Sequence, residues 1–281
     1  MSQYAKYKID SPNYDTTRVP IGLEIILGCL IRTGIPLGEQ AVLEAGSGTG
    51  NYLQALRPEL GSLVGVDSSE QMLEQARATV TGDVELIQGS VLELSMGDES
   101  FDAVLSNQVI HHLDEGPGAG DEPAAWPPSE NPGITQFLRE AHRVLRHGGA
   151  LVLNFSHPQQ VRDGFWWSEL IPAAVERLVY RLPTPDRMRQ MLASAGFDVV
   201  FEVADLHGVL QGTSYLDTRG PLKEEWRAGD SLWSLVTADE LAGAKDRVDK
   251  MHQDATINEF LTGREALRRK VGQSTFLCAR K

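Results

Sequence analysis

The chain has 281 residues, 41% of them hydrophobic, and a formal net charge of -13 at pH 7. This length allows one large domain or a core domain with a cap, and the negative charge disfavours nucleic acid as a partner. The two cysteines, Cys29 and Cys278, form neither a disulfide framework nor a metal-ligand motif, which favours a reducing, cytoplasmic setting and predicts no metal.

The first predicted element is a helix that precedes the rest of the fold. Pro20 suits its first turn, apolar residues recur at helical spacing from Leu23 to Ile31, and Thr33 and Gly34 follow as a stop signal. The apolar stretch is short and contains Glu24, and the N-terminus has no apolar signal core. We therefore expect neither a membrane span nor an export signal.

The most informative motif is VLEAGSGTG at residues 42–50. A short apolar run that breaks into closely spaced glycines predicts a buried strand turning tightly into a helix, with backbone bare enough to contact a ligand. A second apolar run, LVGVD, ends at Asp67, where acidic residues of doubly wound folds bind ribose hydroxyls. Together the two motifs predict a site for a nucleoside-type cofactor.

Strands and helices alternate through the first half of the chain. Strands are predicted at 41–45, 62–66, 84–88, 101–106 and 149–155, and helices at 50–57, 69–79 and 134–145. This alternation predicts an α/β fold with a doubly wound parallel sheet and helices on both faces.

From residue 114 onward, irregular segments interrupt the alternation of strands and helices. The Gly- and Pro-rich segment 114–133 predicts a surface loop, with a disordered insertion favoured over a flap in which Trp126 contacts substrate. A helix at 187–195 and a strand at 197–203 follow. Residues 237–240 form a capping box that opens a long charged helix, and 275–279 predict a final strand.

In these motifs the chain resembles the class I S-adenosylmethionine-dependent methyltransferases. The resemblance is dense over 41–155, thin over 185–203 and returns at 273–280. It implies a seven-stranded, mostly parallel, Rossmann-like sheet whose last strand lies antiparallel between two earlier ones. The expected organisation is: 1–40, N-terminal lid helices; 41–155, cofactor-binding core; 156–185, cap insert; 186–204, core helix and strand; 205–271, helical cap insert; 272–281, final core strand.

The resemblance also implies how S-adenosylmethionine would be held. Glu44 would hold the ammonium side of the methionine portion, Asp67 the ribose hydroxyls, and Ser90 the adenine amino group, where many relatives have an aspartate. The remaining expected cofactor residues are Gly46, Ser47, Gly48 and Gly50 in the turn, Ser68 and Met72 beside the adenine, Gly89 and Val91 on its far side, and Asn107 and Gln108 near the methionine portion.

Candidate catalytic residues follow the fourth strand of the sheet. His111 or His112 could act as a general base, because imidazole accepts a proton near neutral pH, although such a pair often only packs or caps. Tyr14 and Arg18 lie in a segment that looks like the lid of small-molecule methyltransferases, where Tyr14 could close over the methyl group or only pack. The candidate substrate-binding residues are Arg18, His157, Trp166 and Trp167, and the two tryptophans could instead only join the cap to the core.

The sequence thus predicts a methyltransferase that acts on a small-molecule acceptor through an O, N or C nucleophile. The Asn-Pro-Pro-aromatic signature of amide and adenine methylation is absent, which also argues against nucleic acid. Two alternatives remain open: a protein of the same fold that binds the cofactor without methyl transfer, as a scaffold or rearrangement catalyst, and a nicotinamide-dependent oxidoreductase. The oligomeric state is not indicated.

Overall fold

The computed structural model describes residues 19–281, so the predicted residues Tyr14 and Arg18 lie outside the described part of the chain. One seven-stranded sheet forms the core, in the order β3-β2-β1-β4-β5-β7-β6. The strands are β1 Ala41–Ala45, β2 Ser62–Asp67, β3 Val84–Gln88, β4 Phe101–Asn107, β5 Leu145–Phe155, β6 Asp198–Asp205 and β7 Ser274–Arg280. The predicted α/β, doubly wound, Rossmann-like fold is confirmed.

The parallel pairing of the central strands brings their carboxyl ends to one edge of the sheet. On β1, Glu44 lies opposite Gly65 of β2 on one side and Leu105 of β4 on the other. These strands are almost wholly buried, as expected for a parallel sheet covered on both faces, which explains their continuous apolar runs. The residues that follow β1, β2 and β4 therefore meet at this edge.

The last strand enters the sheet in the opposite direction. Leu277 of β7 lies opposite Leu153 of β5 and Glu202 of β6, and both pairings are antiparallel. The predicted position of the final strand, between two earlier ones, is confirmed. It leaves β6 as an edge strand, with Val199 and Val203 partly exposed.

Eleven α-helices are present in residues 19–281. They are α1 Leu23–Ile31, α2 Asn51–Leu56, α3 Glu70–Thr79, α4 Pro132–Val144, α5 Pro158–Asp163, α6 Pro172–Val179, α7 Pro185–Ser194, α8 Thr213–Leu216, α9 Glu224–Arg227, α10 Ala238–Gln253 and α11 Ile257–Val271. None of these described helices has the length and apolarity needed to cross a membrane.

The capping box at Thr237 opens a helix as predicted, but the helical stretch that follows is broken. Thr237 and Glu240 each bond the other's backbone N–H. α10 ends at Gln253, Ala255 adopts a left-handed backbone with φ of 56°, and α11 begins at Ile257. Charge patterning alone does not predict this break.

The inserts 156–185 and 205–271 share one apolar cluster above the sheet edge, here called the cap. Its largest members are Trp166, Trp167, Trp226 and Trp233, all buried. The Trp167 and Trp226 rings lie 5.2 Å apart and nearly perpendicular, a favourable edge-to-face arrangement. Both inserts contribute side chains to this cluster, so the two segments pack together.

The segment 114–133 is irregular but held in place, so the expectation of a disordered insertion is wrong. Arg181 of the α6–α7 connection donates to the carbonyl oxygens of Gly116 and Pro117 at 2.8 and 2.7 Å. Asn131 donates to the Arg181 carbonyl oxygen at 2.9 Å. The physical reason is that buried guanidinium and amide groups satisfy backbone carbonyls that have no secondary structure of their own.

Arg177 on α6 is the principal link between this loop and the cap. The side chain is 3% exposed and donates to the carbonyl oxygens of Asp121 and Leu235 and, through two bonds of 2.8 Å, to the Glu240 carboxylate. Removing one partner of such a buried group leaves several polar atoms uncompensated.

We therefore expect Arg177→Met to lower the free energy of unfolding by about 3 kcal/mol, because Glu240 and two carbonyls lose their donor. Arg162→Met is the matched control. The Arg162 bond to Glu176 is also two-pronged, but the side chains are 39% and 48% exposed, so a loss of only about 0–1 kcal/mol is expected. Urea unfolding of the two variants measures the difference, and equal losses would contradict the assignment of Arg177 as the link.

Candidate functional site

A cavity of about 1020 Å³ lies between the carboxyl edge of the sheet and the cap. Its sheet side is formed by the turns after β1, β2, β3 and β4, and its cap side by residues of both inserts. A volume at the top of the range of about 300–1,000 Å³ for small-ligand sites has room for two ligands side by side.

The glycine turn after β1 brings bare backbone to the cavity. Gly46 and Gly48 both have positive φ, 81° and 53°. A Cβ on Gly46 would lie 2.4 Å from the Val109 side chain, whereas one on Gly48 would meet no atom within 4 Å. Gly46 is thus required for packing, and Gly48 keeps backbone open on the cavity wall. Gly50 is not on the wall but packs on Val80 at the start of α2.

Asp67, at the end of β2, forms hydrogen bonds with the turn after β1 and with the turn after β2. Its carboxylate accepts hydrogen bonds from the backbone N–H of Gly48 and of Ser69, each at 2.8 Å. Ser69 caps α3 by accepting from the Met72 N–H. The predicted ribose-binding carboxylate is therefore also the group that fixes the glycine turn, a second role that the sequence did not reveal.

Glu44, at the end of β1, is a carboxyl group with an unusual environment. It is 2% exposed and lines the cavity, and its Oε1 accepts from the Asn107 amide at 3.1 Å. Its Oε2 has no hydrogen-bond partner among residues 19–281. Burial is the main cause that raises the pKa of Glu44 to about 8. A cation placed beside Oε2 would stabilise the ionised form.

The turn after β4 carries the next polar groups. Gln108 has φ of 55°, and its amide bonds the side chain of Asn154 on β5 at 2.7 Å. His111 and His112 follow in a short 3-10 turn, with ring centroids 3.9 Å apart, and both line the cavity. The structure thus brings the two candidate bases to the same cavity as the glycine turn.

The other predicted cofactor residues also line this cavity. They are Ser47, Ser68, Met72, Gly89, Ser90, Val91 and Asn107. Gln88 lines it as well, at the end of β3.

Three predicted substrate residues lie elsewhere. The indoles of Trp166 and Trp167 are inside the cap, where they donate to the Tyr215 carbonyl oxygen and to Asp230 Oδ2 at 2.9 and 2.7 Å. Neither indole lines the cavity. His157 borders a separate depression of about 280 Å³, next to the ion pair of Arg189 and Glu202.

Several cavity residues had no signal in the sequence. Tyr52 accepts a hydrogen bond from the Ile21 N–H, and Asp114, Asn154 and Asp230 come from three distant segments. Only the fold brings these residues together. Burial also raises the pKa of Asp114, whose carboxylate accepts from the Gly133 N–H at the start of α4.

The arrangement suits a ligand with a nucleoside part and a cationic part. Asp67 and the turn after β2 offer acceptors for hydroxyl groups, the open turn at Gly48 allows close approach, and Glu44 offers a buried carboxyl oxygen. No cluster of three or more metal-ligating side chains occurs within the described residues.

Comparison with known proteins agrees with this geometry. A family model described as a methyltransferase domain matches residues 43–153. A candidate S-adenosylmethionine-dependent methyltransferase of Mycolicibacterium smegmatis is 29% identical over 183 residues, covering 63% of this chain and 59% of that protein. Demethylmenaquinone methyltransferase of Roseiflexus castenholzii is 27% identical over 186 residues, covering 58% and 71%.

A solved structure extends the likeness to nearly the whole chain. A methyltransferase candidate from an antibiotic biosynthesis pathway of Anabaena variabilis superposes with a TM-score of 0.70 over 94% of this chain and 99% of that one, at 21% identity. This identity shows a shared fold. The chain spans about half the length of several curated relatives that it matches.

The two glycines of the turn give a direct test of this local geometry. Both Gly46→Ala and Gly48→Ala place a side chain at positive φ, but only the first drives a methyl group into Val109. We expect Gly46→Ala to be about 1–3 kcal/mol less stable than Gly48→Ala, because overpacking adds to the shared backbone cost. Chemical denaturation measures both, and equal stabilities would show that Gly46 does not pack as described.

Proposed function

We propose that the chain is a class I S-adenosylmethionine-dependent methyltransferase, like the proteins that it resembles, and that it transfers the methyl group of S-adenosylmethionine to a small-molecule acceptor held beneath the cap. The observation that carries the proposal is that two chemically different sets of residues line one cavity, and we assign them to its two ends. Glu44, the glycine turn and Asp67 form one end, and His111, His112 and the apolar side chains of the cap form the other.

The first end has the groups that the cofactor requires. Asp67 would accept from the ribose hydroxyls, Glu44 would face the ammonium of the methionine portion, and Ser68 and Met72 would flank the adenine. Gly89, Ser90 and Val91 would close its far side. When bound, S-adenosylmethionine supplies an electrophilic methyl group on a positively charged sulfonium.

The second end would bind and orient the acceptor. Its apolar wall comes from the cap residues Val161, Phe165, Leu178, Leu182, Val209 and Leu232. In-line displacement needs chiefly alignment of the nucleophile and exclusion of water, which an apolar enclosure provides. The imidazole of His111 or His112 would accept a proton where the nucleophile must lose one.

The size and charge of the site favour a small organic acceptor over a polymer. The net charge of -13 repels a phosphate backbone, and no Lys or Arg of residues 19–281 lines the cavity. One relative acts, by its name, on demethylmenaquinone, and the structural neighbour is assigned to antibiotic biosynthesis. Both are consistent with a small, largely apolar acceptor.

Isothermal calorimetry tests the cofactor end. We expect S-adenosylmethionine and S-adenosylhomocysteine to bind and NAD to give no heat. Asp67→Ala should weaken binding by about 1.5–3 kcal/mol, because charge-assisted hydrogen bonds are lost. Asp98→Ala is the control, since that carboxylate is 75% exposed and pairs only with Arg143 in the described structure. Binding of NAD, or unchanged affinity in Asp67→Ala, would refute the assignment.

Glu44→Gln should change how the stability of the ligand-free protein depends on pH. The pKa of Glu44 in the folded protein, about 8, lies above the ordinary glutamate value of 4.5, so wild-type stability should fall as pH rises between these values, while the variant lacks this loss. The ligand-free variant should therefore be the more stable protein at pH 8. Thermal unfolding at pH 5 and pH 8 measures this, and parallel pH profiles would contradict it.

Cofactor binding should show the opposite preference. A cation beside Glu44 favours the carboxylate, so wild-type protein should release up to about one more proton than Glu44→Gln when S-adenosylmethionine binds at pH 7. Wild-type affinity should rise toward pH 8 and then level off. Calorimetry in two buffers of different ionisation enthalpy gives the proton count, and no difference between the two proteins would remove Glu44 from the cofactor site.

A further inference from the structure

Gln108 has a backbone conformation that is costly for its residue type. It is one of five non-glycine residues with positive φ in the described chain, and among these five it alone lines the large cavity. Such a conformation persists only where surrounding contacts enforce it, and it recurs at functional positions. The side-chain amide that Gln108 brings to the cavity wall is therefore a candidate for a functional role.

The enforcing contacts come from Asn154 on β5. The Gln108 backbone N–H donates to the Asn154 carbonyl oxygen at 2.8 Å, and Gln108 Nε2 donates to Asn154 Oδ1 at 2.7 Å. Asn154 is 1% exposed, and its own amide donates to Ser274 Oγ at 3.1 Å on β7. A chain of three polar side chains thus runs from the cavity into the buried centre of the sheet.

This chain of hydrogen bonds holds the Gln108 amide in one orientation. Asn154 takes one of the two N–H groups of Nε2, and Oε1 accepts no hydrogen bond from any residue of the described chain. Gln108 lines the cavity, so Oε1 offers a ligand an acceptor that is already oriented. An amide oxygen of this kind accepts from an O–H or N–H group.

The side chains of Gln108 and of the preceding residue, Asn107, bond to different strands. Asn107 bonds Glu44 on β1, at the cofactor end, while Gln108 bonds Asn154 on β5, toward the cap inserts. Other charged groups near the cap side, Asp114, Glu115 and Asp230, are also hydrogen-bond acceptors. This end of the cavity is thus rich in acceptors, and its described wall has no Lys or Arg.

We propose that Gln108 is a specificity-determining residue for the acceptor, and not a cofactor ligand, and that its Oε1 binds the O–H or N–H of an uncharged or cationic acceptor with an apolar body. The proposal deepens the methyl-transfer function and rests on it. The acceptor class is then phenols, alcohols and amines, with carboxylate- and phosphate-bearing acceptors excluded.

The test compares probes that differ in one donor. 2-Naphthol, 2-methoxynaphthalene and 2-naphthoate are titrated by ligand-observed NMR into the full-length protein saturated with S-adenosylhomocysteine. We expect 2-naphthol to bind about five- to tenfold more tightly than its methyl ether, as one hydrogen bond provides, and 2-naphthoate to bind most weakly. Gln108→Met should abolish the preference for 2-naphthol while S-adenosylhomocysteine affinity stays within about twofold.

Two further variants keep the result interpretable. Gln108→Asn tolerates the left-handed backbone but shortens the amide, so it should also lose the preference if the Met variant is unstable. Gln159→Met, at an exposed position on α5 that does not line the cavity, should retain it. Equal binding of naphthol and its ether to wild type, failure of both to bind, or a large loss of S-adenosylhomocysteine affinity in Gln108→Met would overturn the proposal. Absence of S-adenosylhomocysteine binding to wild type would instead overturn the methyl-transfer function.

Discussion

The buried carboxyl group of Glu44 is the constraint around which the site is organised. It lies at the end of the central strand, with a parallel neighbour on each side, so water cannot reach it freely. Asn107 satisfies one oxygen, and no described residue satisfies the other. Such a group is costly in the ligand-free protein and becomes favourable when a positive charge arrives. The fold thus holds a destabilising element where a cationic ligand would compensate it.

The turns around Glu44 can pack closely only because glycine occupies positions where a side chain would clash. Gly65 lies opposite Glu44, and a Cβ there would approach Leu53 at 2.6 Å and Ser47 Oγ at 2.9 Å. The glycine turn therefore packs onto β2 itself, and Asp67 at the end of that strand can reach the Gly48 N–H. One strand pairing sets the distance between the carboxyl group, the turn and the ribose-type acceptor.

Local patterns predicted this part of the molecule but not the contacts that order the 114–133 loop or the direction in which the cap aromatics face. The turn, Asp67 and the strands needed only an apolar run, glycines and a terminal acid, all within about 30 residues, and β1 to β4 formed within one residue of their predicted bounds. β5 begins at Leu145, four residues before its predicted start. The loop 114–133 was expected to be disordered. Its order comes from Arg177 and Arg181, which lie far along the chain and follow no periodicity, so no local pattern predicts it. Likewise, Trp166 and Trp167 were predicted to bind substrate, whereas their side chains lie inside the apolar cluster of the cap and do not line the cavity.

The β4 end shows how one strand can divide a cavity into two chemical environments. Asn107 reaches back to β1 and completes the environment of Glu44, and Gln108, the next residue, leaves the strand with a left-handed backbone and reaches β5. An extended continuation would place the following residues along the strand direction, whereas this turn brings Val109 against Gly46 and the two histidines to the cavity wall. The strained residue therefore couples the glycine turn to the candidate bases through direct packing. Its cost is offset by hydrogen bonds that reach Ser274 on the last strand, so the antiparallel strand β7 also helps to position the site.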